Sequence, residues 1–336
     1  MAKLRIGVIG TANVARQFIA DVAPSPTVEI VAVASRDAAK AERFARAAGV
    51  ARFHASYDAL LADRAIDAIY NPLPNSMHAE WTIKAAAAGK HILCEKPLSV
   101  TADEARAMFA AARKHGVHLV EAYPYLAHPQ TQTMRALLDE GAIGAVKLIR
   151  ASIGFTVFDP ATNIRLNAEL AGGALRDCGS YPVSFAIVVA KEKPARVHAA
   201  ARWAPSGVDH SLVATLEFRS GILAQIACSV AVGSHRHALV AGDGGVLETT
   251  FLNHPPLGGP SEIHLKRGNR SDTPRETIAA AGGSGFRLEA EAFQRLVAGD
   301  AAAWTGVTAA QSVDIMETLE AILKSAHGGA PVDLPA

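Results

Sequence analysis

Through its first third this chain alternates short apolar runs with amphipathic, alanine-rich stretches, and that alternation restricts the fold more than any other feature. Leu4–Ile9, Val28–Ala34, Ala68–Tyr70, His91–Cys94 and Val117–Val120 read as strands. Val14–Val22, Ala38–Ala48, Met77–Ala88 and Ala102–His115 carry helical spacing between them. Strands that are apolar along their whole length and joined by helices predict a parallel sheet covered on both faces.

After about residue 123 the pattern changes. Gln130–Glu140 reads as a helix ended by Gly141. Alternating runs follow at Val146–Phe155, Ala195–Trp203, Ser211–Phe218, Leu223–Val232 and Ala238–Ala241. Turn signals such as Arg219-Ser220-Gly221 and Gly242-Asp243-Gly244-Gly245 predict mainly antiparallel pairing. A helix near Cys178–Val189 interrupts the series, and Phe286–Val297 and Thr308–Lys324 close the chain as helices. Pro255–Gly285, rich in Gly, Pro and charge, reads as a long surface loop. The expected organisation is α/β: a dinucleotide-type domain over 1–123, then an α+β domain with a large open sheet over 124–336.

With 336 residues, two domains are the natural division. Lys plus Arg number 33 against 32 Asp plus Glu, a net charge of +1, which gives no basis for a nucleic-acid groove or an anionic membrane surface. No apolar run is long enough to span a bilayer. The first strand starts directly after Met1-Ala2-Lys3, so no signal peptide is expected and the cytoplasm is the expected location. Cys94, Cys178 and Cys228 are widely spaced, which argues against disulfides and a cysteine zinc site. His235 and His237 share one face of a strand without a carboxylate at ligand spacing, so no metal is expected.

The first strand runs into Gly10-Thr11-Ala12-Asn13-Val14-Ala15 and then a helix. A dinucleotide turn needs a glycine for the tight bend and small residues near the pyrophosphate and at the helix–strand contact; Gly10 is intact, and Ala12 and Ala15 replace the other two. Phosphates are expected on the backbone amides of this turn. The second strand ends Val33-Ala34-Ser35-Arg36-Asp37, with Lys40 one helical turn on. A hydroxyl and a guanidinium match a 2′-phosphate, so Ser35, Arg36 and Lys40 favour NADP(H); Asp37 as an acidic ribose ligand is the competing reading.

Tyr70-Asn71-Pro72-Leu73-Pro74-Asn75-Ser76-Met77-His78 precedes one helix, and Glu95-Lys96-Pro97 closes the next strand. That strand edge is where ligands bind in an open α/β sheet. Pro72, Leu73, Asn75, His78 and Glu95 are therefore expected beside the cofactor, and Lys96 presents a fixed ammonium to a reacting hydroxyl or carbonyl. Far downstream, Asp177 and Tyr181 stand four apart in Gly172-Gly173-Ala174-Leu175-Arg176-Asp177-Cys178-Gly179-Ser180-Tyr181-Pro182, a spacing that puts both on one face at a helix start, with Asp177 as its cap. A phenol titrates near about 10 and is a poor base at neutral pH, but a neighbouring ammonium stabilises the phenolate. Lys96 and Tyr181 are expected to form a proton-transfer pair, oriented by Asp177.

Taken together, these motifs resemble the Gfo/Idh/MocA oxidoreductases, nearest to the branch of dimeric dihydrodiol dehydrogenase and NADP-dependent xylose dehydrogenase. The resemblance also covers His128-Pro129, Ala142-Ile143-Gly144 and the Phe286–Val297 helix. It implies an N-terminal Rossmann domain, a C-terminal sheet used to form a homodimer or homotetramer, and hydride transfer between nicotinamide C4 and a sugar, polyol or dihydrodiol carbon. By position, Lys96, Asp177 and Tyr181 match the family's catalytic residues, and Arg165 a position near cofactor or substrate. Leu126 stands where relatives often carry arginine, which leaves the sugar open. The competing functions are a catalytically silent NADP-binding sensor and a glycosidase using a redox detour.

Overall fold

A computed structural model of the chain describes residues 3–159, 163–254 and 260–335. The chain divides into two compact units: residues up to Ala127 with Ser284–Ala309, and His128–Gly283 with the residues from Ala310 on. Among the described residues no helix is long and apolar enough to cross a membrane.

The first unit runs β1 (Leu4–Ile9), α1 (Asn13–Val22), β2 (Val28–Ala34), α2 (Ala38–Ala48), β3 (Arg52–His54), α3 (Tyr57–Ala62), β4 (Ala68–Asn71), α4 (His78–Ala87), β5 (His91–Glu95), α5 (Ala102–Lys114), β6 (Leu119–Ala122) and α6 (Pro124–Ala127). Its six strands lie in the order β3-β2-β1-β4-β5-β6. All five pairings are parallel. The apolar character of these strands follows from burial on both faces; Ile6, Val8, Ala68 and Leu93 are fully inaccessible. Strand β3 and helix α3 escape the sequence reading because Arg52–His54 is three residues long and not buried.

The second unit comprises α7 (Pro129–Asp139), β7 (Val146–Thr156), α8 (Ser180–Ala190), β8 (Pro194–Trp203), β9 (Asp209–Phe218), β10 (Leu223–Ser229), β11 (Ala231–Gly242), β12 (Gly245–Thr249), β13 (Ser261–Arg267) and β14 (Glu276–Ala280). The chain then returns to the first unit as α9 (Gly285–Val297) before α10 (Ala309–Gly328) and β15 (Val332–Asp333) complete the second. Nine strands form a mixed sheet, β14-β13-β12-β11-β7-β10-β9-β8-β15. Pairing is antiparallel except between β7 and β10, where Leu223 aligns with Leu148 in parallel.

Two differences from the sequence reading have physical causes. The described part of Pro255–Gly285 is not a loop: Ile263 and Leu265 are buried on β13, which pairs with β12 and β14. Gly and Pro at its ends masked a short alternating strand. Residues 255–259 of that segment lie outside the described residues. The segment 284–309, read within the 124–336 domain, packs with the first unit because α9 buries Phe286, Ala290 and Phe293 in that unit's core. Phe286 meets Phe18 of α1 edge-on at 6.2 Å. Burying each such phenylalanine contributes roughly 1.5–3 kcal/mol.

Candidate active site

In the first unit the chain turns sharply at Gly10, whose φ is +96°. A Cβ there would stand 2.9 Å from the Leu73 side chain, so both conformation and space require glycine. Gly10 N donates to Ala34 O at 2.8 Å, which ties the turn to the tip of β2. Helix α1 begins at Asn13, and its N-cap, Ala12, makes no side-chain capping bond. Its first amides, with Thr11, Asn13 and Val14 around them, are thus left to an anionic group, while Ala15 is fully buried against the sheet.

At the tip of β2, Asp37 accepts from Lys40 N at 3.0 Å and caps α2, while Ser35 Oγ accepts from Asp37 N at 3.2 Å. The Asp37 carboxylate is thus engaged at the start of α2. Arg36 is exposed, and its charge acts on the Tyr57 phenol. Burial pushes that phenol above its ordinary value, and the Arg36 cation partly offsets the rise. An exposed guanidinium, with Ser35 and Lys40 beside it in sequence, fits an anion such as a ribose phosphate.

The loop 71–75 and the turn after β5 are joined by His78. Its Nε2 lies 2.7 Å from Leu73 O and its Nδ1 2.9 Å from Pro97 O. Two carbonyls favour the imidazolium, but burial opposes it more strongly and the Lys96 charge adds to that, so His78 is held below the usual histidine value. Both ring nitrogens are engaged by backbone, and His78 joins the Pro72-Leu73 loop to the turn after Lys96. The Lys96–Pro97 peptide is cis. Glu95 is buried and accepts from the Tyr70 hydroxyl at 2.6 Å; Tyr70 in turn stacks on Phe18 with ring centroids 3.8 Å apart. Glu121 on β6 accepts from Leu98 N at 2.9 Å. Lys96 is thus flanked by two residues whose neighbours hold them on both sides.

In the second unit a π-helical turn, Leu175–Gly179, leads into α8. Asp177 sits inside this turn, and Gly179 is the N-cap of α8, which differs from the cap expected at Asp177. The Asp177 carboxylate instead accepts from Arg165 Nε at 2.6 Å. Arg165 stands on a one-turn helix, Ile164–Leu166, capped by Asn163, and its guanidinium lies 5.4 Å from the Phe155 ring. Gly173 N donates to Arg165 O at 2.7 Å with φ +116°. Any side chain there would collide with Asp209. Asp209, buried and pushed upward chiefly by burial, accepts from Leu175 N at 2.7 Å and fixes the start of the turn.

Tyr181, 7 % exposed, follows on α8. Asn253 Nδ2 lies 3.1 Å from its hydroxyl, and the Arg236 guanidinium 4.5 Å from its ring centroid. The sequence reading missed both partners. A signal existed for Arg236: the alternation that put His235 and His237 on one face of β11 puts Arg236 on the other. Nothing in the sequence marks Asn253.

Lys96 and the glycine turn belong to the first unit; Arg165, Asp177 and Tyr181 belong to the second. A parallel sheet with an uncapped helix start, followed by a unit carrying a phenol and an ion-paired carboxylate, is compatible with a dinucleotide-binding oxidoreductase. The family model described as "Oxidoreductase family, NAD-binding Rossmann fold" matches residues 4–123, and the model of the GFO/IDH/MocA C-terminal domain matches 131–248. The chain belongs to the Gfo/Idh/MocA oxidoreductase family. It is 35 % identical over 332 residues to D-xylose 1-dehydrogenase (NADP(+)) 2 of Haloferax volcanii, covering 98 % of this chain and 100 % of that one. It is 31 % identical to trans-1,2-dihydrobenzene-1,2-diol dehydrogenase of Xenopus laevis, over 85 % of this chain and 86 % of the relative. A 3-ketoreductase from Actinomadura kijaniata, solved in complex with NADP and TDP-benzene, superposes with a TM-score of 0.87 at 30 % identity over 96 % of this chain and 98 % of that one.

Proposed function

We propose that this protein is an NADP(H)-dependent oxidoreductase acting on a sugar, polyol or dihydrodiol carbon, or on the corresponding carbonyl. The observation that carries this reading is the turn Leu175–Gly179 with α8, which concentrates a buried phenol and an ion-paired carboxylate on neighbouring turns. When bound, the cofactor supplies or accepts the hydride at nicotinamide C4. Gly10, Thr11, Ala12, Asn13 and Val14 would hold its pyrophosphate, Ser35, Arg36 and Lys40 its 2′-phosphate, and Pro72, Leu73 and Asn75 with Glu95 would lie towards the nicotinamide. Tyr181 Oη takes the proton from the substrate hydroxyl during oxidation and returns it during reduction. Lys96 supplies the cation that favours the phenolate, and the Arg165-held Asp177 orients the substrate hydroxyl.

The test is a screen of aldoses, inositols, deoxysugars and dihydrodiols with NADP⁺, followed by NADPH absorbance. Tyr181→Phe is expected to lower turnover on the best substrate by roughly 10²- to 10⁴-fold while NADPH affinity is retained. Unchanged turnover removes Tyr181 from the mechanism. Tight NADPH binding without turnover of any substrate favours a sensor instead.

The outer face of the second unit's sheet supports a homo-oligomer. Leu148, Val213 and Leu223 are 36 %, 56 % and 47 % exposed on it, and Val213 also lines a depression of about 460 Å³. Val213→Arg is expected to reduce the mass seen by light scattering; an unchanged mass counts against this face.

A further inference from the structure

Strand β11 carries Arg236 on the same side as the buried Ala238 and Val240. Its guanidinium is sandwiched between two aromatic rings, 4.5 Å from the centroid of Tyr181 and 4.5 Å from that of Phe251. Arg236 Nη2 also lies 3.2 Å from Asn253 Oδ1, and Asn253 Nδ2 lies 3.1 Å from Tyr181 Oη.

Chemistry fixes the direction of each bond in this chain. A guanidinium donates and never accepts, so the asparagine atom facing Arg236 is the oxygen. The amide nitrogen therefore faces Tyr181, and an amide nitrogen can only donate. The phenol oxygen accepts from Asn253, and its own proton is directed elsewhere. A donor at the oxygen and a cation on the ring both favour the phenolate over the phenol.

The segment bearing Asn253 is held for this purpose. Phe251 is fully buried at φ +37°, a left-handed conformation that a bulky side chain adopts only when its surroundings enforce it. Its ring packs on Phe185 at 5.2 Å, and its N–H donates to Thr249 Oγ1 at 3.1 Å. Gln130, fully buried at the start of α7, accepts from Leu252 N at 3.0 Å and donates to Thr250 Oγ1 at 2.9 Å and Glu262 O at 2.7 Å.

We propose that Arg236 and Asn253 are positioning residues that hold Tyr181 as a hydrogen-bond acceptor and set the pH at which it exchanges its proton. This rests on the reading of Tyr181 as the proton relay. Among the described residues of its unit, the other ionisable groups in this region include Asp177 with Arg165, His128 and His254 beside Arg236, and Cys178 with Cys228 on β10. His128 is pushed down to about 4 by burial and by the charges of His254 and Arg236, so it is neutral at working pH. The Cys178 contact and burial push Cys228 well up, so it too is neutral.

The direct experiment is a pH titration of tyrosinate absorbance, taken as the difference between each protein and its Tyr181→Phe counterpart. Asn253→Asp keeps an acceptor for Arg236 but removes the N–H aimed at the phenol; Arg236→Met removes the cation. Each is expected to move the Tyr181 ionisation upward by about one pH unit, and the acid limb of kcat/KM for substrate oxidation with it, a roughly tenfold loss below the limb. Arg236→Lys is expected to recover most of the shift. An unmoved ionisation, or rates lowered equally at every pH, overturns the inference. Full activity in Tyr181→Phe would instead overturn the proton-relay reading, so the two failures are distinguishable.

Discussion

The Tyr70 hydroxyl donates to Glu95 across 2.6 Å, one residue before Lys96. Tyr70 is fully buried on β4, Glu95 ends β5, and the pair spans the two strands next to the turn that presents the lysine. An O–H donor on a carboxylate at this distance is a strong bond that fixes the strand end.

Tyr70→Phe keeps the ring on Phe18 and removes this donor. It is expected to cost about 1–3 kcal/mol of stability, because Glu95 remains buried with one partner fewer. Urea denaturation measures the loss. Turnover is expected to fall more than NADPH affinity, since the displaced strand end carries Lys96. Wild-type stability and turnover together would show that Glu95 is held by its other contacts.

Glu289 on α9 is 1 % exposed, and neither of its carboxyl oxygens makes a hydrogen bond of normal geometry among the described residues. Burial, and then the charges of Glu95 and Glu121, push it well above the usual carboxylate range. The folded state therefore keeps a proton that the unfolded chain releases above its ordinary value. Stability declines as pH rises from that value, by up to about 1.4 kcal/mol per pH unit, until the folded group itself ionises. Glu289→Gln carries the neutral shape at every pH. It is expected to be more stable than the wild type at pH 8 and to lose that advantage towards pH 4, by thermal melts across the range. Parallel pH profiles would show that Glu289 is ionised in the native protein.

His128 shows the opposite linkage. It is fully buried, caps α7 by accepting from Gln130 N at 3.1 Å, and is held neutral down to about pH 4. Between that value and the ordinary histidine value near 6.5, the unfolded chain binds a proton that the folded protein refuses. Stability from this group is complete above about pH 6.5 and is lost as pH falls, by up to about 3 kcal/mol. Asparagine caps helices equally well but does not titrate. His128→Asn is expected to flatten the acid limb of a denaturation profile between pH 6.5 and 4.

Much of this was legible from residue order. The parallel sheet followed from runs such as Leu4–Ile9 that are apolar on both faces, and the helix–strand turn from Gly10. Legibility ended where a contact depends on which elements meet. The amphipathic pattern of α9 declares a buried face, but not that Phe286 and Phe293 fill the core of the first unit. Ile263 and Leu265 alternate correctly for a strand, yet their flanking Gly and Pro outweighed a run of seven residues. Asp177 and Tyr181 stood out as candidates by spacing. Their partners did not, because Asn253 reaches Tyr181 from 72 residues away and Arg165 reaches Asp177 through a one-turn helix.

Cofactor choice is expected to rest on Arg36. Asp37, the carboxylate that would compete for ribose hydroxyls, accepts from Lys40 N at the start of α2, whereas Arg36 stays exposed with its charge acting on the Tyr57 phenol. Arg36→Asp replaces a cation suited to a 2′-phosphate with a charge that repels it. NADPH affinity is expected to fall by about 10- to 100-fold, that is by about 1.4–2.8 kcal/mol, with NADH affinity changed far less. Tyr57→Phe, which keeps the cation and removes the phenol hydroxyl it acts on, is expected to weaken NADPH more modestly. Fluorescence titration of both cofactors against the three proteins decides it. Equal weakening of NADPH and NADH in Arg36→Asp would mean that the residue acts on the adenosine half as a whole and reads no phosphate.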